Sequence, residues 1–180
     1  MAGPIAHIYC ALALINSGEI QVQDRCSYIR GTSFNDIRYL KVIRREETHD
    51  DKVNLEKIKA APTDFEKGML VHSLLDRKRE QYVMTQKLYD YVPEIAYKTQ
   101  LLKFYEDLVL YERLQNTPEI AACFKQFDQQ EQLFAIPPEK LTKWHFLLQE
   151  YVSQKPSEWR ISGLMQSIVD NDNQGEKDYN

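Results

Sequence analysis

Between Thr63 and Pro93 the chain has the pattern of one strong amphipathic helix. Phe65, Met69, Leu70, Leu74 and Leu75 recur at the three- and four-residue intervals that place side chains on one helical face. Thr63 with Glu66 three residues on has the form of a capping box, which marks where the helix starts. The same stretch carries His72 and Asp76 one turn apart. Residues so spaced share a face, and an imidazole and a carboxylate there can point at a common spot. A nitrogen and an oxygen donor on one rigid turn suit zinc or another borderline divalent metal.

The rest of the chain is punctuated for helices too. Pro4 stands where a first helical turn tolerates it, and Asn16-Ser17-Gly18 reads as a helix end, giving a buried first helix to about Ser17. Residues 19–30 alternate weakly, with a short helix expected from Gln23, and Gly31 to Asp36 reads as loop. From Arg44 to Thr63 the chain is charged and poorly periodic, so a long surface excursion is expected, with a helical turn near Leu55. After Pro93 a long amphipathic helix runs to about Gln115, and Pro118, Pro137, Pro138 and Pro156 separate shorter ones. The expectation is a single all-α domain over residues 1–170, with 171–180 a polar, disordered tail.

Charge and cysteines narrow the function. A net charge of -4 provides no basic field to draw in nucleic acid, so nucleic acid is not expected as a primary partner. Cys10, Cys26 and Cys123 form no CxxC pair and are far apart. They read as reduced thiols in a cytoplasmic protein. Ile5 to Ile15 is apolar, but no Lys or Arg precedes it and His7 and Tyr9 interrupt it, so it reads as a core helix rather than a leader. No run approaches the roughly 20 apolar residues of a membrane span.

Collected by chemistry, the candidate metal ligands are His7, Asp36, His49, His72 and Asp76, with Glu80 continuing the His72–Asp76 stripe by a turn. They suffice for one closed site, or for two sites sharing a carboxylate. Each also has an ordinary structural reading. His7 can be a hydrogen-bonded core residue, Asp36 a cap for the turn that follows it, and Asp76 the partner of Arg77, Lys78 or Arg79 on a solvated face.

The order and local contexts of these residues resemble the zinc-dependent phospholipase C family, which groups with the P1-type nucleases. The resemblance lies in Gly3-Pro4-Ile5-Ala6-His7, in Asn35-Asp36 after Gly31, in Thr48-His49, and in Gly68-Met69-Leu70-Val71-His72 with Asp76 a turn later. It covers roughly residues 3 to 80. It implies an all-α fold with metals in a cleft between helices, and Zn2+ or another divalent ion as cofactor. Asp36, His49, His72 and Asp76 would hold one metal, and His7 with Asp76 would help hold a neighbour, Asp76 bridging. The implied activity is phosphoester hydrolysis, with a lipid among the candidate substrates and Asp36 as an acceptor of the proton from water.

The chain departs from that family in several places. Asn35 stands where the family has proline, the family's N-terminal tryptophan ligand has no counterpart, and position 82 is Tyr82 rather than histidine. The later His-x-x-x-Glu pair is missing, since His145 is followed by Gln149, which leaves Glu106, Asp107 and Glu112 as substitutes. A non-catalytic metal-binding or interaction protein with a reduced site is therefore a second reading. A third is an HD-type phosphohydrolase, from the dipeptide His49-Asp50. Arg38, Arg44, Arg45, Arg77 and Arg79 are candidates to meet a phosphate, or simply surface charges. Tyr105, Tyr111, Phe104, Leu108 and Trp144 read as core.

Overall fold

The computed structural model of the chain describes residues 2–94 and 98–157. In chain order the α-helices are α1 (Pro4–Asn16), α2 (Arg25–Phe34), α3 (Arg45–Thr48), α4 (Leu55–Lys59), α5 (Asp64–Thr85), α6 (Lys98–Tyr111), α7 (Thr117–Ala122) and α8 (Pro138–Ser153). Short 3-10 turns occur at Asn35–Leu40, Leu88–Tyr91, Cys123–Lys125 and Gln129–Phe134. No strand occurs among the described residues, so the class is all-α, as the periodicity implies. The expected tail over 171–180 lies outside the described residues.

Local chemistry sets the helix ends. Pro4 opens α1, and Gly18 leaves it with φ at 77°, a left-handed conformation that glycine adopts without a Cβ penalty. Asp24 caps α2 by accepting from the Ser27 amide, and Thr63 caps α5 by accepting from the Glu66 amide. The Asp64 carboxylate accepts from the amides of Gln23 and Asp24, at 2.8 and 2.7 Å, and so ties the starts of α2 and α5 together. The charged stretch between the 3-10 turn and α5 does form a surface excursion, carrying only the short helices α3 and α4.

The segment expected as loop from Gly31 is instead the second half of α2. Its sequence, rich in Ser, Thr and Gly, is a poor helix former on its own. Packing overrides that preference, because Ser27 through Phe34 are all buried. Gly31 and Gly68 let α2 and α5 meet in the most extensive helix pairing among the described residues. A Cβ at Gly31 would lie 2.0 Å from the Phe65 carbonyl oxygen, and one at Gly68 would lie 2.2 Å from that of Tyr28. Both obstacles are backbone, which has little freedom to give way.

Around this pair the main core gathers Ile5, Ile8, Phe34, Phe65, Ile120, Phe124 and Trp144 from α1, α2, α5, α7, the turn at Cys123–Lys125 and α8. The opposite face of α5 packs Val71 with Ile20, Val53 and Ile58 in a smaller core under α4. The long helix after Pro93 is α6, and Asp107 on it reaches back to α1. Its carboxyl accepts from the Ala6 amide at 2.8 Å and from the Tyr151 hydroxyl at 3.0 Å. Burial pushes Asp107 up to about 7, against the donors that favour its charged form. Tyr105, expected in the core, is 63% exposed, while its neighbour Phe104 packs against the main core.

The cysteines differ from expectation. Cys26 in α2 and Cys123 after α7 form a disulfide, with only Cys10 free. Their separation of 97 residues hides the pairing in sequence, since it exists only because α7 and α8 fold back over α2. A bridge closing so long a loop stabilises a domain by about 2–4 kcal/mol. Of the three cysteines expected as reduced thiols, Cys10 alone is one. No helix among the described residues is long and apolar enough to cross a membrane.

The packing of α2 on α5 yields a direct test. Gly68→Ala is expected to lower the unfolding free energy by more than about 2 kcal/mol, measured by urea denaturation. An alanine at an exposed position of the same helix, such as Gln81→Ala, is expected to leave stability nearly unchanged.

Candidate metal centre

His7, Asp36, His49, His72 and Asp76 come from four different parts of the fold and meet at one buried point. Contacts between α2 and α5 advance along both helices together, from Asp24 with Asp64 to Thr32 with His72. The end of α2 and the 3-10 turn after it are thereby laid beside the middle of α5. Asn35 fixes this junction: its side-chain amide donates to the carbonyl oxygens of Thr48 and Met69, at 2.6 and 3.1 Å. That one residue anchors the turn bearing Asp36, the loop bearing His49 and the helix bearing His72. Ser73 adds a further tie, its hydroxyl accepting from the Asp50 amide and donating to the Met69 carbonyl.

The five side chains are almost wholly covered. His7 and His72 are 1% exposed, Asp76 4% and Asp36 7%, and the His49 side chain is fully covered. Asp76 lies between the histidines. Its Oδ1 is 3.1 Å from His7 Nε2 and 2.9 Å from the Ala2 amide that donates to it. Its Oδ2 is 3.6 Å from Nε2 of both His49 and His72. Asp36 Oδ1 stands 3.9 Å from His72 Nε2. The rings of His7 and His72 stack at 3.8 Å, and His49 meets His72 edge-on.

Two groups of three ligating atoms, one from His7, His72 and Asp76 and one from Asp36, His49 and His72, each fall within 4.8 Å of one another. Four donors placed tetrahedrally around zinc stand about 3.4 Å apart, given bond lengths near 2.0–2.1 Å. The observed separations are close to that spacing. They are also longer than good hydrogen bonds in most cases, and the Nε2 atoms of His49 and His72 and the Oδ1 of Asp36 are buried without a hydrogen-bond partner. Three buried polar atoms without a hydrogen bond, close together in a protein interior, form an arrangement that a cation would satisfy.

The far sides of the rings are fixed as well. His72 Nδ1 is 2.8 Å from the Thr32 carbonyl oxygen, so that nitrogen carries the proton and Nε2 presents a lone pair inward. His49 Nδ1 is 2.9 Å from the Thr48 hydroxyl. Outer hydrogen bonds of this kind orient metal-binding histidines. Burial opposes ionisation of Asp76, yet the surrounding imidazoles of His49, His7 and His72 hold its carboxyl well below the usual range. Burial likewise opposes the charge on His72, but the Asp36 and Asp76 carboxylates outweigh it and raise the imidazole. Burial and the neighbouring His72 lower His7. The Asp36 carboxylate also has the Arg38 guanidinium 3.5 Å away.

Other candidates lie elsewhere. Glu80 faces Arg79 and Tyr89. Asp50, the second letter of the HD dipeptide, pairs with Lys57 and accepts from the Lys52 amide at 2.8 Å. Glu106 takes a two-point hydrogen bond from Arg79, Asp107 caps α1, and Glu112 pairs with Lys155. His145 is buried between the Phe124 carbonyl and the Glu131 carboxylate, bracing α8 against the turns after α7. Arg44 pairs with Glu47 and Arg45 with Asp51, while Arg77 donates to the carbonyls of Asp51 and Val53. Asn35, Thr32, Thr48 and Ser73 escaped the sequence reading, because no spacing in the chain marks a residue that supports a ligand.

Compared with known proteins, the chain matches no family profile, no curated protein and no solved structure. Thr48→Val keeps the shape of the side chain and removes the hydroxyl that holds His49. It is expected to weaken zinc binding by about tenfold, measured by competition with a chromophoric chelator, and an unchanged affinity would show that the Thr48 hydroxyl does not orient a ligand.

Proposed function

We propose that the cluster is a divalent-metal centre for phosphoester hydrolysis. The observation that carries this reading is the set of buried, unbonded donor atoms on Asp36, His49 and His72, with the outer nitrogens of both rings already engaged. The ordered resemblance of His7, Asp36, His49, His72 and Asp76 to the zinc-dependent phospholipase C family supports it. In this reading Asp36, His49, His72 and the Oδ2 of Asp76 hold one ion, and His7 with the Oδ1 of Asp76 contributes to a second. When bound, such ions supply charge that stabilises a phosphoryl group under attack and lower the pKa of water towards neutrality.

The protein's own groups then have distinct tasks. Asp76 is kept ionised by three imidazoles and joins the two halves of the cluster. Thr32 and Thr48 hold the imidazoles in orientation, and Asn35 keeps the three ligand-bearing segments in register. Asp36 borders a cavity as well as the cluster, and in this reading its carboxylate accepts the proton leaving water. Arg38 stands beside it as a cation for the departing or attacked anion.

A second reading, a metal-binding protein without catalysis, is favoured by one set of observations. Glu106, Asp107, Glu112 and His145 are all committed to other partners, so none of them extends the cluster. Hydrolysis of bis(p-nitrophenyl) phosphate separates the two. Zinc- or manganese-loaded protein is expected to turn it over, His72→Ala to abolish turnover, and Asp50→Ala to leave it near wild type. Fully loaded protein inert towards both this diester and p-nitrophenyl phosphate would establish the non-catalytic reading, and loss of metal in Asp50→Ala would favour an HD-type site.

A further inference from the structure

A cavity of about 270 Å³ adjoins the cluster, and Asp36 is part of its wall. The remainder of that wall is mostly apolar and aromatic, with Phe104 from α6 and Trp144, Leu148 and Tyr151 from α8. Two polar groups stand out in it. The first belongs to Trp144, a residue of this wall that is 4% exposed and whose buried indole nitrogen has no hydrogen-bond partner among the described residues. An indole N–H only donates, so nothing but an acceptor satisfies it. The second is the ammonium of Lys103, partly buried on α6, with no hydrogen bond or ion pair to any described residue. The carboxylates of Asp36, in the same wall, and of Asp76, in the cluster behind it, act on it electrostatically.

This combination specifies a ligand. A purely apolar group would leave the indole donor and the ammonium unanswered, and a bare phosphate would leave the aromatic wall uncovered. A molecule with an anionic oxygen cluster at one end and a compact apolar or aromatic group at the other answers both. The volume lies just below the range of typical ligand pockets, about 300–1,000 Å³. It takes one ring or a short chain and has no room for a pair of long acyl chains.

Resting on the metal-centre reading above, we propose that this cavity is a substrate subsite for the apolar or aromatic substituent of a small phosphoester. Lys103 binds a non-bridging phosphate oxygen, and the Trp144 N–H donates to an oxygen of the same ligand. The two residues lie on α6 and α8 and are specificity-determining rather than catalytic. They sit outside the stretch in which the ordered ligand pattern is found, so this part of the site belongs to the second half of the chain.

Trp144 supplies its own probe. The chain has two tryptophans, and Trp159→Phe leaves Trp144 as the single indole emitter. Zinc-loaded Trp159→Phe protein is titrated with phenylphosphonate and with methylphosphonate, neither of which is a hydrolysable ester, and zinc content is measured on the same samples. Phenylphosphonate is expected to change the Trp144 emission saturably and to bind about tenfold or more tighter than methylphosphonate, since only it fills the apolar wall. Lys103→Met is expected to weaken phenylphosphonate binding by about tenfold with zinc content unchanged. Calorimetric titration of Trp144→Phe, which keeps an aromatic wall without the N–H, is expected to show weaker binding as well. Equal affinity for the two phosphonates, or no effect of either substitution in zinc-loaded protein, would overturn the subsite and leave the metal reading standing. Protein that takes up no zinc would overturn the metal reading itself, and the subsite with it.

Discussion

The backbones of α2 and α5 meet at Gly31 and Gly68 with no room for a methyl group, and the placing of Asp36 beside His72 and Asp76 follows from that contact. Because the two helices touch there, the Thr32 carbonyl reaches His72, Asn35 reaches the Met69 carbonyl, and the turn after α2 delivers Asp36 to the same point. A displacement of α2 by even the radius of a carbon atom would separate Asp36 from the histidines of the other segments. Helices packed on larger side chains stand about 8–10 Å apart. Glycine at the crossing is what lets a main-chain carbonyl of one helix act as the outer partner of a histidine on the other.

Placing five titratable side chains in an interior is costly unless their polar atoms are answered. The cluster answers most of them internally: Asp76 takes the His7 imidazole and the Ala2 amide, and the outer nitrogens of His49 and His72 are engaged. What is left over is concentrated at one place, on the inward-facing atoms of Asp36, His49 and His72. A structural hydrogen-bond network of the same residues would close those gaps to about 2.7–3.2 Å. His7 and Asp76, at 3.1 Å, meet that limit, whereas Asp76 Oδ2 stands 3.6 Å from both His49 and His72, and Asp36 Oδ1 3.9 Å from His72.

How much of this was legible in sequence depended on what kind of signal each residue leaves. α1, α5 and α6 write themselves as apolar periodicity with marked ends, and His72 and Asp76 inherit their shared face from α5. The order of His7, Asp36, His49, His72 and Asp76 was legible as a pattern, although only three-dimensional contact brings them within ligand distance. α2 was hidden because Gly31, Thr32 and Ser33 disfavour a helix locally and are held in one by burial. The Cys26–Cys123 bond was hidden by its 97-residue separation, and the roles of Asn35, Thr48, Lys103 and Trp144 by the absence of any spacing rule for residues that position or surround a site. Asp107, a candidate ligand from its place on the long helix, braces α1 instead, a role that depends on a contact 101 residues away in the chain.

The measurement closest to the central claim is elemental analysis of purified, tag-free protein after loading with zinc, with His72→Ala alongside, supported by X-ray absorption at the zinc edge. The account predicts close to two ions per chain, lost in the variant, with nitrogen and oxygen neighbours at about 2.0–2.1 Å and the outer-shell scattering of imidazole. Protein that binds no zinc or manganese, or zinc retained undiminished in His72→Ala, or a sulfur neighbour at the zinc, would contradict it.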